Sequence, residues 1–182
     1  MMDGRKIVLN ADQLRKGESK STNLQVKRND IFIVLDNVLD TYNIGAIFRL
    51  ADAVVAKKVY LCGGTEAPPN SRIKKASINT TEWVEWEYCE SAVEAIQRIT
   101  SEVCPVQIVA IEQSTKSVQY DKFKYTLPLV LIVGNETTGV SKEVLKQADR
   151  IVELPMFGVN KSLNVMVSLG IVLYEVIEKI NN

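Results

Sequence analysis

The sequence predicts an α/β domain built on a mostly parallel sheet with helices on both faces. Three observations lead there. Short apolar, β-branched runs such as Ile31-Phe32-Ile33-Val34-Leu35 and Leu129–Val133 lack the in-out alternation of a half-exposed strand. These runs alternate along the chain with segments of helical apolar spacing. Several of them end in polar or glycine-rich stretches, and open parallel sheets bind ligands beyond the carboxyl ends of their strands.

Residues 1–30 are polar and charged and read as a short basic arm, with a short helix at 11–16 and a loop over 16–23. The domain is expected over 31–182. After the strand at 31–35, apolar residues at 44, 47, 48, 50, 51, 54 and 55 predict a helix over 43–55. Val59–Cys62 is the next strand, followed by a loop with Gly63-Gly64 and Pro68-Pro69 and a polar, basic stretch at 71–80. Trp83–Tyr88 alternates and reads as a strand, and Ser91-x-x-Glu94 is a capping box opening a helix at 92–100. Val106–Ile111 and Leu129–Val133 are strands. Ser141 caps a helix with Glu143 in its first turn. Ile151–Leu154 is a strand stopped by Pro155. A final helix starts near Ser162 and is apolar on almost every face through Ile177, so it should be buried.

Composition narrows the chemistry. The chain has 182 residues, 46% of them apolar, with 22 basic and 22 acidic side chains and no histidine. This fits one globular domain and excludes a disordered chain or a collagen. No apolar run approaches the roughly 20 residues that span a bilayer. Without histidine there is no Ser-His-Asp or Cys-His machinery and no imidazole zinc site, and no metal is expected. Cys62, Cys89 and Cys104 have no CxxC spacing, no apolar leader follows Met1, and a reducing cytoplasm is expected. Residues 1–80 carry 13 basic and 8 acidic groups, the rest 9 and 14, so a +5 half faces a −5 half. Such asymmetry hints at a polyanion partner or at an unevenly charged surface.

Three segments at strand ends carry candidate chemistry. In DNVLDTYNIGAIFR, Asn43 is a candidate N-cap, and Arg49 lies in a mostly apolar helix where it meets an anion, snorkels to the surface or pairs with Asp40 or Asp52. GNETTGVS, Gly134–Ser141, has P-loop glycine spacing, but Val140 stands where the lysine belongs. Glu136 within it would accept hydrogen bonds. In LPMFGVNKSLN, Pro155 and Gly158 bend the loop, and Ser162 and Asn164 sit at a helix start where they cap it or frame a ligand. Trp83 and Trp86 fit packing better than base stacking.

Together these segments resemble the SpoU (TrmH-type) family of RNA ribose 2′-O-methyltransferases, of the SPOUT class, over residues 30–178. Asn43-x-Gly45-x-x-x-Arg49 is similar to the first family motif, and Val133-Gly134-Asn135-Glu136-x-x-Gly139-Val140 to the second. Leu154-Pro155-Met156-x-Gly158 with Ser162-Leu163-Asn164-Val165 and Leu173-Tyr174-Glu175 resembles the third. The resemblance implies a C-terminal deep trefoil knot and S-adenosylmethionine as cofactor. Gly134, Leu154, Met156 and Leu163 would line its pocket. It implies Arg49 as the catalytic arginine, with Asn43, Glu136, Ser162 and Asn164 shaping the active site. A homodimer through the last helix is also implied, with Arg49 reaching a site completed by the second subunit.

Under that resemblance the ribose 2′-hydroxyl must lose a proton without help from histidine. Either a desolvated Arg49 takes it, or Arg49 orients the hydroxyl while a substrate phosphate accepts the proton. The second route asks less of a guanidinium, whose pKa lies above about 12. RNA contact is expected from the basic half: Arg5, Lys6, Arg15, Lys16 and Lys20 in the arm, then Lys27 and Arg28, then Arg72, Lys74 and Lys75. A short chain favours tRNA, with guanosine-18 of the D-loop first, over the tRNA wobble position or rRNA. A knotted RNA-binding module without transfer activity is the rival class.

Overall fold

In the computed structural model, which describes Asn10, Asp12, Gln13 and residues 27–181, the first apolar run lies inside strand β1 (Asn29–Asp36). Helix α1 (Thr41–Ala53), β2 (Ala56–Cys62), helix α2 (Ser71–Ser77), a 3-10 turn at Thr80–Glu82 and β3 (Trp86–Cys89) follow. The chain continues through α3 (Ala92–Glu102), β4 (Gln107–Ile111), β5 (Val118–Gln119), β6 (Leu129–Gly134), α4 (Lys142–Leu145), β7 (Arg150–Glu153) and α5 (Val165–Asn181). The strands form one sheet in the order β3-β2-β1-β6-β4-β7-β5, and every pairing is parallel.

The strands are apolar throughout because both faces of the sheet are covered. Ile31, Ile33 and Leu35 of β1 point to the side packed by Ile44, Ile47 and Phe48 of α1 and by Leu169, Val172, Leu173 and Val176 of α5. Phe32 and Val34 point to the other side, against Ala92, Ala95, Ile96 and Ile99 of α3 and Val144 of α4. Each large apolar side chain buried in these layers contributes about 1.5–3 kcal/mol. The predicted fold class holds for the sheet and its two helical layers.

Several element readings need correction. The polar, basic stretch at 71–80, to which no element was assigned, holds a helix: Asn70 accepts from the N–H groups of Arg72 and Ile73 and starts α2, which buries Ile73 as its anchor. The strand expected from Trp83 starts at Trp86, because Trp83 ends the 3-10 turn and its indole N–H donates to Asp52 at 2.7 Å. That places Trp83 in packing rather than in an open stacking position. Ser141 precedes α4 but makes no side-chain cap, and its N–H donates instead to Asp36 at 2.8 Å. The last helix begins at Val165, not Ser162, and is not wholly buried: Val167, Ile171 and Tyr174 are 39%, 37% and 56% exposed. The strand β5 was not legible. The helix expected at 11–16 lies largely outside the described residues, within which Asn10 accepts from the N–H groups of Asp12 and Gln13.

Gly45 decides how α2 meets α1. A Cβ there would lie 2.5 Å from the Ala76 Cβ, 2.8 Å from the Ile73 carbonyl oxygen and 2.9 Å from the Ser77 nitrogen. The helices therefore cross with backbone against backbone. Alanine favours a helix interior over glycine by about 1 kcal/mol, but overpacking costs about 1–3 kcal/mol. Gly45→Ala is expected to lower the urea midpoint with the m-value unchanged; a raised midpoint would show that the crossing has slack.

Candidate active site

The carboxyl ends of β4, β6 and β7 open onto one cleft of about 580 Å³, and Glu136 ties it to the start of α1. Glu136 follows β6 in a tight turn closed by two backbone hydrogen bonds between Asn135 and Gly139. One of its carboxylate oxygens accepts from the N–H of Leu39, and the other from the N–H of Asp40 and the side-chain amide of Asn43, each at 3.0 Å. Burial pushes the Glu136 carboxyl up, but hydrogen bonds from Leu39, Asn43 and Asp40 together leave it below the ordinary glutamate value. Glu136 is thus a filled acceptor, poorly suited to act as a base.

Asn43 is buried and stands inside α1 rather than at its start. The N-cap is Asp40, which accepts from the N–H of Tyr42 at 2.7 Å. Asn43 links Glu136 to Asn164, whose amide donates to the Asn43 side-chain oxygen at 3.0 Å. The side-chain oxygen of Asn164 accepts from the N–H groups of Met166 and Val167 and so caps α5. The capping reading of Asn164 holds, and the same residue lines the cleft. Ser162 lines the cleft, is exposed, and has no hydrogen-bond partner among the described residues.

Gly134, Leu154, Met156 and Leu163, the expected cofactor residues, all line this cleft together with Glu136, Ser162 and Asn164. A Cβ at Gly134 would lie 2.2 Å from the backbone of Gly139 and Val140, so only glycine lets the turn fold back on β6. Glu112 and Gln113 are among the cleft residues that escaped sequence reasoning, as are Glu153 and Ser168. Glu112 accepts from the N–H groups of Gln113 and Val140 at 2.8 Å each, and Gln113 donates from its amide to the Lys161 carbonyl at 2.8 Å. Their signal was position: they stand just beyond the carboxyl end of β4, a strand end that was not singled out.

Arg49 is not in this cleft. It is exposed on α1 and has no hydrogen bond or ion pair among the described residues. The ion pairs considered for it do not form: Asp40 is the helix cap and Asp52 holds Trp83. Arg72, Lys74 and Lys75 are exposed on α2, with Lys74 3.9 Å from Glu82, and Lys27 is exposed. Arg28 is a correction: its guanidinium donates to the carbonyls of Ala56 and Trp83 and anchors the start of β1, so it is not free for phosphate. Arg5, Lys6, Arg15, Lys16 and Lys20 lie outside the described residues.

The lowered Glu136 value has a sign that can be tested. A carboxylate held below its ordinary pKa adds stability above about pH 4.3, and that stability disappears as pH falls through the lowered folded value. In urea unfolding from pH 7 to 3, Glu136→Gln should be less stable than the parent at neutral pH, and the gap should close in acid. A gap that stays constant with pH would mean that the carboxylate charge is not used.

Comparison with known proteins agrees with this geometry. The family model for the SpoU rRNA Methylase family matches residues 30–174. The tRNA (guanosine(18)-2'-O)-methyltransferase of Aquifex aeolicus is 37% identical over 154 residues, covering 84% of this chain and 71% of its own length. The Escherichia coli K12 enzyme of the same name is 30% identical over 152 residues; 82% of this chain is covered, but only 63% of the relative, less than two thirds. Among solved structures, the A. aeolicus TrmH/SpoU tRNA modifying enzyme superposes with a TM-score of 0.76 at 33% identity, over 94% of this chain and 82% of the other. An AdoMet-bound rRNA methyltransferase from Sinorhizobium meliloti gives a TM-score of 0.75 at 28% identity, over 90% and 59%. With its three motif segments joined by one hydrogen-bond chain beside the cleft of a parallel sheet, this chain belongs to the SpoU methylase family.

Proposed function

We propose that the protein transfers a methyl group from S-adenosylmethionine to a ribose 2′-hydroxyl of RNA, with tRNA as substrate and guanosine-18 of the D-loop as the first target to test. The observation that carries this reading is the convergence of the three motif segments through the Glu136–Asn43–Asn164 hydrogen-bond chain. Its substrate side rests on the names borne by the A. aeolicus and E. coli relatives. Methylation of rRNA is the second reading, favoured by the S. meliloti structure.

The cleft fits the cofactor. Its volume of about 580 Å³ lies in the range of about 300–1,000 Å³ for small-ligand sites. Gly134 lines it at the base of the β6 turn, and Leu154, Met156 and Leu163 add apolar wall. Bound there, S-adenosylmethionine would supply a methyl group on a sulfonium whose departing thioether is neutral. What remains for the protein is to position the ribose hydroxyl and to dispose of its proton.

Arg49 is the residue for that task, and the dimer would bring it to the site. Val167, Ile171 and Tyr174 form an exposed stripe on α5 at helical spacing. Helix α1 abuts α5 where the Leu50 methyls lie 3.4 Å from the position of a Cβ at Gly170. A second copy covering this stripe would take Arg49, which meets no partner among the described residues, to the neighbouring cleft. Arg49 is exposed among the described residues. In our reading it orients the hydroxyl and stabilises developing negative charge while a substrate phosphate takes the proton. Ser162, unpartnered at the cleft edge, would contact the ribose. The C-terminal segment that follows β7 would thread a trefoil knot, a reading supported by family membership and by the way residues 160–164 share the cleft with the β6 turn.

RNA would lie against α2 through Arg72, Lys74 and Lys75, joined by Lys27 and by the basic arm of residues 1–30 ahead of the methyltransferase domain. A cytoplasmic site of action suits three free cysteines, of which Cys62 and Cys89 are buried with their thiols pushed up by burial. Among the described residues no helix is long and apolar enough to cross a membrane.

Two measurements test this function. Arg49→Ala should lose at least about 100-fold in kcat for tRNA methylation, comparable to removing a transition-state donor, while S-adenosylmethionine affinity stays unchanged. Near-normal turnover would remove Arg49 from the mechanism. Ile171→Lys should sediment as a monomer and lose activity; a fully active monomer would rule out a shared site.

A further inference from the structure

The geometry points to Glu112 as the acceptor for the ribose diol of the adenosyl cofactor, an inference that rests on the cofactor reading above. Glu112 stands just beyond β4, between β6 and β7 in sheet order, and lines the cleft beside Gly134, Leu154 and Leu163. Its carboxylate is held rigidly. One oxygen accepts from the N–H of Gln113 and the other from the N–H of Val140, both at 2.8 Å. The second oxygen sits so close to the turn that a Cβ on Gly139, whose φ is +72°, would lie 2.1 Å from it. Gly139 therefore makes room for a carboxylate as well as for a turn.

A carboxylate offers about four lone-pair sites and no donor. Two are filled by backbone, and the remaining capacity belongs to a group that lines the cleft. Two fixed, adjacent oxygens match the two O–H donors of a vicinal diol, the pairing that acidic residues make with ribose in dinucleotide folds. The neighbouring Gln113 closes the cavity from the same strand end, since its amide holds the Lys161 carbonyl of the C-terminal loop. The other cleft carboxylates fit less well. Glu136 already takes three donors, and the Glu153 carboxylate has no partner among the described residues to orient it.

The test is calorimetric binding of S-adenosylhomocysteine and of its 2′-deoxy and 3′-deoxy ribose analogues, without RNA or turnover. The parent protein should bind each deoxy analogue about tenfold more weakly than S-adenosylhomocysteine, the scale of one hydrogen bond to a charged acceptor. Glu112→Gln should weaken S-adenosylhomocysteine and erase most of that discrimination, whereas Glu153→Gln should keep it. The inference is overturned if the parent does not discriminate, if Glu112→Gln weakens all three ligands equally, or if only Glu153→Gln removes the preference. Failure of the parent to bind S-adenosylhomocysteine at all brings down the cofactor reading itself, and this assignment with it.

Discussion

One carboxylate organises the molecule's working end. Glu136 receives the N–H groups of Leu39 and Asp40 and the amide of Asn43, and so fastens the turn after β6 to the start of α1. Through Asn43 the same chain reaches Asn164, which caps α5. Three segments far apart in sequence are thereby held by one connected set of hydrogen bonds, and each member is oriented by the next. Such networks are strong when every polar group is satisfied and fragile when one is lost. Asp36 plays a parallel part at the end of β1, where it takes the Ser141 N–H and the Asn37 amide.

The division between inward and outward residues of α1 follows from helical geometry. Asn43 and Gly45 are buried, Asn43 toward the hydrogen-bond chain and Gly45 against α2. Arg49, six positions on from Asn43, falls on a different face and reaches solvent. One helix can therefore hold together the site of its own protomer and present a cation to another molecule. That arrangement explains why Arg49 stands apart from Asn43, the residue of the same motif that joins the hydrogen-bond chain beside the cleft.

Much of this was legible in the sequence. The parallel sheet followed from runs such as 31–35 and 129–133, since only strands covered on both faces remain apolar at every position. The cleft residues Gly134, Glu136, Leu154, Met156, Ser162, Leu163 and Asn164 came from motif order and do meet in space. Other features were hidden because they depend on contacts across the fold. Arg28 looks like a surface cation until Ala56 and Trp83 present their carbonyls to it. The apolar helix α5 looks buried, yet the described residues cover only part of its circumference. Glu112 has no motif around it, and its role emerges only when the turn at Gly139 and Val140 folds onto it.

The sheet order also bears on how the chain acquires its structure. Strand β1 sits between β2 and β6, and its register pairs Ile31 with Leu129 and Leu35 with Val133. During synthesis β1, β2 and β3 can assemble early, but the second edge of β1 must wait for residues 129–134 to emerge. Such distant pairings slow folding, because loop-closure entropy is lost before contacts return it. Until β6 arrives, the apolar run of β1 keeps one edge of unpaired N–H and C=O groups, the template from which wrong strand pairings grow. The strand arrangement that assembles the cleft thus leaves the nascent chain with a vulnerable interval, which ends only when its second half has been made.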